Sequence, residues 1–244
     1  MKTTVLTFVF IILGVVYAHS QKIKRLIDKG DVIKLEKYIS KGGDINTPIN
    51  TPLFFEDNNT SINYELHPMV YAAGDSNDEI VKLFVEYNDK IENYDQVLGH
   101  ALSASISSGN NSLSMYLIDQ SPNINSVCSF CRNSTPTMIA ALYNNEELFF
   151  MMAEMNPDYS IVNNEGNNFH HMAATSGNMK IIEHVYNNCS IDVAALTTSG
   201  LIITGLRLYL KLLYDIYCSS LSFKLKLEVS LVPNTLINYS LNNV

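Results

Sequence analysis

"HPMVYAAGDSNDEIVKLFVEY" (67–87) carries apolar residues at helical spacing on both sides of an interruption, Gly74-Asp75-Ser76. The pattern predicts two short helices joined by a tight turn. Helices this short hold their shape only by burying an apolar face, so the pair must stack against a neighbour.

The neighbours are copies of the same unit. "HALSASISSGNNSLSMYLI", "TPTMIAALYNNEELFFMMA" and "NFHHMAATSGNMKIIEHVY" align with it, and an earlier copy lies in "RLIDKGDVIKLEKYI". The inter-helix turn falls at Gly30, Ser76, Gly109, Asn144 and Gly177, and the last four are 33, 35 and 33 residues apart. Five residues after each turn stand Leu35, Val81, Ser114, Phe149 and Ile182. The second helices end in a column of stop signals: "GGDIN" (42–46), "NDKIE" (88–92), "SPNIN" (121–125), "NPDYS" (156–160) and "CSID" (189–192). Gly, Asn and Pro end the helix, and the lone Ile or Tyr pins the loop that follows. Self-similarity at such a period is the mark of a repeat architecture.

By period and by residues the repeat resembles the ankyrin family. "TPTMIAA" (135–141) is similar to that family's T-P-L-H-x-A-A, and 163–178 supplies Gly166, His171, Ala173-Ala174 and Gly177 in the same register. The resemblance covers residues 19–199 and implies an all-α fold, a helix-turn-helix solenoid of about five repeats with loop fingers on one side. His171 takes the position of the family histidine, whose role there is structural hydrogen bonding. Two departures stand out. An insertion lies within 47–66, and Ser105-Ile106 replaces the small Ala pair of the other repeats, which should loosen the third junction. Beyond Gly200 the pattern stops; 200–244 reads as an irregular tail, either a divergent cap or a gene-boundary artefact.

Residues 1–18 read as an address. Lys2 precedes an apolar run from Val5 to Tyr17, and Val16 and Ala18 sit at the spacing of a cleavage site. This predicts a secretory signal peptide cut near Ala18, because thirteen apolar residues are short for a bilayer span. The expected location is extracellular; a signal-anchored or retained form is the alternative. No stable membrane span is expected after cleavage. The sequons at Asn58, Asn59, Asn110, Asn133, Asn188 and Asn238 are potential glycosylation sites, though a chain with 27 asparagines produces several by chance.

The net charge is −8, but it is segregated. Residues 19–41 hold seven Lys/Arg against three Asp/Glu, whereas 42–200 hold four against nineteen. An acidic body repels phosphate backbones, which argues against nucleic acid and for a basic or neutral protein partner.

Few residues suggest chemistry. Cys128 and Cys131 form "CSFC" in an expected finger. A structural zinc site would need a second such pair, and a thioredoxin-like site would need the motif opening a helix. A local disulfide, Cys128–Cys131, is the expected state after secretion. His170, His171 and His184 read as structural or surface residues, and Glu146-Glu147 suits a helix N-terminus. No G-x-S-x-G, Walker loop or H-E-x-x-H occurs. The expectation is a non-enzymatic, monomeric repeat protein without metal or cofactor, binding its partner at finger tips: Tyr94, Asp95 and Gln96; Phe130 and Arg132; Asn163, Asn164 and Glu165. An effector- or toxin-like role fits such a repeat behind a signal peptide, by analogy alone. The rival is a fragment or degenerate copy of a larger repeat scaffold.

Overall fold

A computed structural model describes residues 18–55 and 60–189. The expected signal peptide up to Tyr17, the tail over 200–244, Cys218 and the sequons at Asn58, Asn59 and Asn238 lie outside the described residues.

Those residues are mostly helical, with one two-stranded sheet. Helix α1 covers 18–28. It is followed by α2 (Val32–Ser40), strands β1 (Ile49–Phe55) and β2 (Thr60–Leu66), α3 (Pro68–Gly74), α4 (Asp78–Glu86) and α5 (Tyr94–Ser107). The order continues with α6 (Asn111–Asp119), α7 (Pro136–Leu142), α8 (Glu146–Ala153), α9 (Phe169–Ser176) and α10 (Met179–Asn188).

The helices come in pairs, and each pair turns on one left-handed residue: Gly30, Ser76, Gly109, Asn144 and Gly177, with φ of 60°, 56°, 74°, 57° and 68°. These are the five turn positions expected from the repeat. In four of them two backbone bonds close the first helix, as when Asn145 N donates to Ala140 O and Asn144 N to Ala141 O. That arrangement satisfies carbonyls that a helix end would otherwise leave open.

The first helices α3, α5, α7 and α9 pack one on the next, and α6, α8 and α10 form a second row. Small residues set the spacing of the first row. Ala72, Ala73, Ala140 and Ala141 are wholly buried, and Ala173 nearly so. Between the rows lie Leu35, Val81, Ser114 and Phe149, all wholly buried, with Ile182 almost so. Among the described residues, the loop isoleucines of the stop column, Ile45, Ile91 and Ile124, are buried as well.

A second column ties successive pairs together. The residue after each turn from Ser76 onward is asparagine, and its side-chain amide reaches back to the preceding pair. Asn77 Nδ2 donates to Ile27 O (2.9 Å), Asn110 to Asp78 Oδ1 (2.6 Å), Asn145 to Asn111 Oδ1 (2.7 Å) and Asn178 to Asn144 Oδ1 (2.8 Å). The Oδ1 atoms of Asn110, Asn145 and Asn178 meanwhile cap α6, α8 and α10. One side chain thus caps its own helix and bonds the previous unit.

The fold is mostly helical, as expected, and the insertion at 47–66 forms an antiparallel hairpin in which Ile49 pairs with Leu66 and Phe55 with Thr60. Two expectations need correction. Tyr94, Asp95 and Gln96 are not a finger but the first turn of α5. Pro68 and Pro136 start α3 and α7 at their first positions, whereas the matching residue in α5 is Ala101, so nothing stops that helix from extending backwards. Ser105-Ile106 does not loosen its junction either. Ser105 is wholly buried, donates to Leu102 O (2.9 Å) and meets Ser114 Oγ at 2.8 Å, and Ile106 is buried beside it.

Candidate functional site

Helical spacing brings one stripe of each first helix to a common face. Five residues before the turn stand Tyr71, Ala104, Ile139 and Met172; two before it stand Gly74, Ser107, Leu142 and Thr175. All eight line a groove of about 820 Å³, closed on one side by the loops at 130–134 and 163–167. Thr51 and Leu66 of the hairpin also reach it. Tyr143, 58% exposed, stands on its wall.

The two loops are built alike. In the first, Cys128 and Ser134 pair as an isolated bridge around a 3₁₀ turn, Ser129–Cys131. In the second, Asn163 N donates to Asn167 O, and Asn163 Oδ1 accepts from Glu165 N (3.0 Å) and Asn167 N (2.9 Å). Such an Asx turn lets a side chain shape the loop from within. The loops are joined by Asn164 N to Arg132 O (3.0 Å), Asn163 Nδ2 to Ser134 Oγ (3.3 Å) and an Arg132–Glu165 ion pair at 2.8 Å.

The expected binding residues therefore separate. Phe130, Arg132, Asn163 and Glu165 line the groove; Asn164 is exposed on the adjoining loop. Asn163 is buried and spent on loop structure, so it offers little to a partner. Phe130 is half-buried, its ring edge-on to His100 at 6.5 Å between centroids. Tyr94, Asp95 and Gln96 line a separate polar hollow with Asn123, Asn125, Ser126 and Val127. Gly99 makes that junction: a Cβ there would lie 2.7 Å from Asn123 O. Burial raises the Tyr94 pKa above the ordinary phenol value.

The histidines are fixed by structure. His67 caps α3, its Nδ1 accepting from Met69 N at 3.1 Å, so its proton sits on Nε2, which is buried without a partner among the described residues. Burial pulls its pKa down to about 4. His171 forms a capping box with Asn168: each accepts the other's backbone N–H. His184 meets Tyr159 OH at 2.8 Å inside a cluster with Phe149 and Phe150. His100 Nε2 donates to Val127 O at 3.0 Å.

Cys128 and Cys131 carry free thiols. Asn110, a potential glycan acceptor, already spends its Nδ2 on Asp78; Asn133 is exposed at φ 58°, and Asn188 Nδ2 donates to His184 O. Among the described residues no group of three or more His, Cys, Asp or Glu could hold a metal ion, and no helix is long and apolar enough to cross a membrane.

The signal for the groove was available in the sequence: it is the set of positions two and five before each turn. Tyr71, Leu142 and Met172 belong to it and are absent from the fingertip set. No family model matches the chain, and no curated protein matches it at a significant level.

Proposed function

We propose that the chain is a secreted, non-enzymatic solenoid of the ankyrin type that holds a protein partner in the groove. The observation that carries this is continuity. Four successive first helices contribute the same two positions, and two linked loops wall them, giving one surface of mixed character. Tyr71, Ile139, Leu142, Tyr143 and Met172 offer apolar contact, while Asp75, Arg132 and Glu165 offer charge. Apolar anchors with a polar rim suit a protein segment. The acidic body favours a basic or neutral segment, and the run Val5–Tyr17 supports secretion.

A photo-crosslinking residue in place of Leu142 should capture a protein that the same residue in place of Glu79, exposed on α4, does not. Identical products at both positions, or none at either, would sink the groove reading. N-terminal sequencing of released protein should begin near His19 or Gln21; an intact Met1 on cell-bound protein would remove secretion from the proposal.

A further inference from the structure

The first loop places two thiols at one point on the groove wall. Four backbone bonds of 2.9–3.0 Å hold it: Cys128 N to Ser134 O, Cys131 N and Asn133 N to Cys128 O, and Ser134 N to Cys131 O. Cys128 is wholly buried at the root of the loop. Cys131 is only half-buried and lines the groove. Its sulfur lies 3.6 Å from Ser107 Oγ on α5. The two cysteines therefore share one tight turn, closed by Cys131 N donating to Cys128 O, but only Cys131 can be approached from outside.

We propose that Cys131 is the reactive thiol of a dithiol pair that exchanges with disulfides reaching the groove, with Cys128 as the resolving thiol. The reaction requires a disulfide R–S–S–R as oxidant. The Cys131 thiolate attacks one sulfur, the S–S bond breaks, RS⁻ leaves and a mixed disulfide forms. The Cys128 thiol loses its proton and attacks the Cys131 sulfur, and the second RS⁻ leaves. The pair gives up two electrons and two protons, and the oxidant becomes two R–SH.

Charge distribution agrees with this division of roles. The hydrogen bond from Cys128 lowers the Cys131 pKa below the ordinary thiol value, and burial raises that of Cys128. Hydrogen bonds to a sulfur favour its thiolate, the nucleophilic form. The disulfide expected from the sequence is the product of this step, and the free dithiol is its starting state. The loop carries no helix after the motif, so the pair is suited to a single exchange that marks or locks the groove wall rather than to repeated turnover. The inference stands whether or not the groove holds a protein.

The test uses the reduced full chain with glutathione disulfide and iodoacetamide as probes. Peptide mapping by mass spectrometry separates Cys128, Cys131, Cys189 and Cys218. Iodoacetamide should label Cys131 several-fold faster than Cys128 or Cys189. Glutathione disulfide should convert the wild type to a Cys128–Cys131 disulfide, and Cys128→Ser should instead retain glutathione on Cys131. First labelling at Cys128 or Cys189, or an absence of the 128–131 disulfide, would overturn the proposal. If Cys128→Ser fails to fold, the two wild-type measurements still decide.

Discussion

Helices α5 and α7 hold equivalent places in the first row, yet α5 runs for fourteen residues and α7 for seven. The difference shows what decides whether a stretch becomes finger or helix. Pro136 cannot donate, and it biases Thr135 toward extended backbone, where ψ is 159°. The residues before it therefore form a loop, which here becomes the groove wall. Ala101 imposes neither restriction, so the helix extends back to Tyr94. Gly99 then lets the 123–126 loop lie directly on it.

The largest effect should come from forcing α5 to resemble α7. Ala101→Pro places a proline inside a formed helix, removing a bond and crowding Val97 O, and should cost about 3 kcal/mol or more. Urea denaturation monitored by circular dichroism checks it. A loss well below 1 kcal/mol, roughly the scale of a single ordinary cap, would mean that 94–100 converts to a finger at will. The comparison would then rest on context and not on proline.

This case also marks how far the sequence could be read. The turn column was legible because left-handed backbone restricts residue choice, leaving Gly, Asn and the less favourable Ser76. The Ala pairs were legible because close helix contact excludes larger side chains. The start of α5 was not, since its signal is a missing proline, and a missing residue looks like ordinary divergence. The hairpin was read only as an insertion: Pro52 and the Asn-rich 58–63 obscure its alternation. Part of the groove lining was named from the sequence: Phe130, Arg132, Asn163 and Glu165. The rest was overlooked because fingertips were sought in loops, whereas Tyr71, Leu142 and Met172 are placed by helical phase. The asparagine ladder was overlooked for another reason. Asn in a turn already has a local explanation, and that explanation hides the bond to the previous unit.

The caps of α3 and α7 sharpen the contrast through pH. Thr135 does not titrate, whereas His67 does its capping as a buried neutral ring. Its folded pKa, about 4, lies below the unfolded value of 6.5, so the unfolded chain binds the proton first. The stability His67 contributes is complete above pH 6.5 and is lost as the pH falls through 4. The shift corresponds to at most about 3 kcal/mol. Burial holds His100, His170 and His184 low as well, so they add to the same slope. His67→Thr should make the stability profile between pH 6.5 and 4 shallower. An unchanged slope would remove His67 from this account.

The interior of the first row differs in a smaller way. Ser105 stands where α3, α7 and α9 have Ala72, Ala140 and Ala173. Its hydroxyl is satisfied by Leu102 O and Ser114 Oγ. Ser105→Ala should therefore destabilise by about 1 kcal/mol, the scale of one net hydrogen bond, although it restores the small residue of the other first helices. Ser114 Oγ keeps its bond to Asn110 O in that variant, so adding Ser114→Ala should cost less than the same change in the wild type, the Ser105–Ser114 contact being already gone. Strictly additive losses in a double-mutant cycle would show that the two hydroxyls do not interact.

The smallest expected effect lies between the two loops of the groove wall, where an ion pair and a buried amide both join neighbouring units. Arg132 and Glu165 are 44% and 41% exposed at their side chains, so water screens their attraction. Such pairs contribute about 0–1 kcal/mol, and less in high salt. Asn163 is buried, and its Oδ1 holds two backbone N–H groups. Removing that acceptor leaves buried donors open, which costs about 1–3 kcal/mol. Glu165→Gln should thus change stability less than Asn163→Ala, and its effect should fade as salt is raised. If Glu165→Gln proves the more damaging change, and remains so in high salt, the loops are held by charge. The groove wall would then respond to ionic strength, and a basic partner would compete with Arg132 for Glu165.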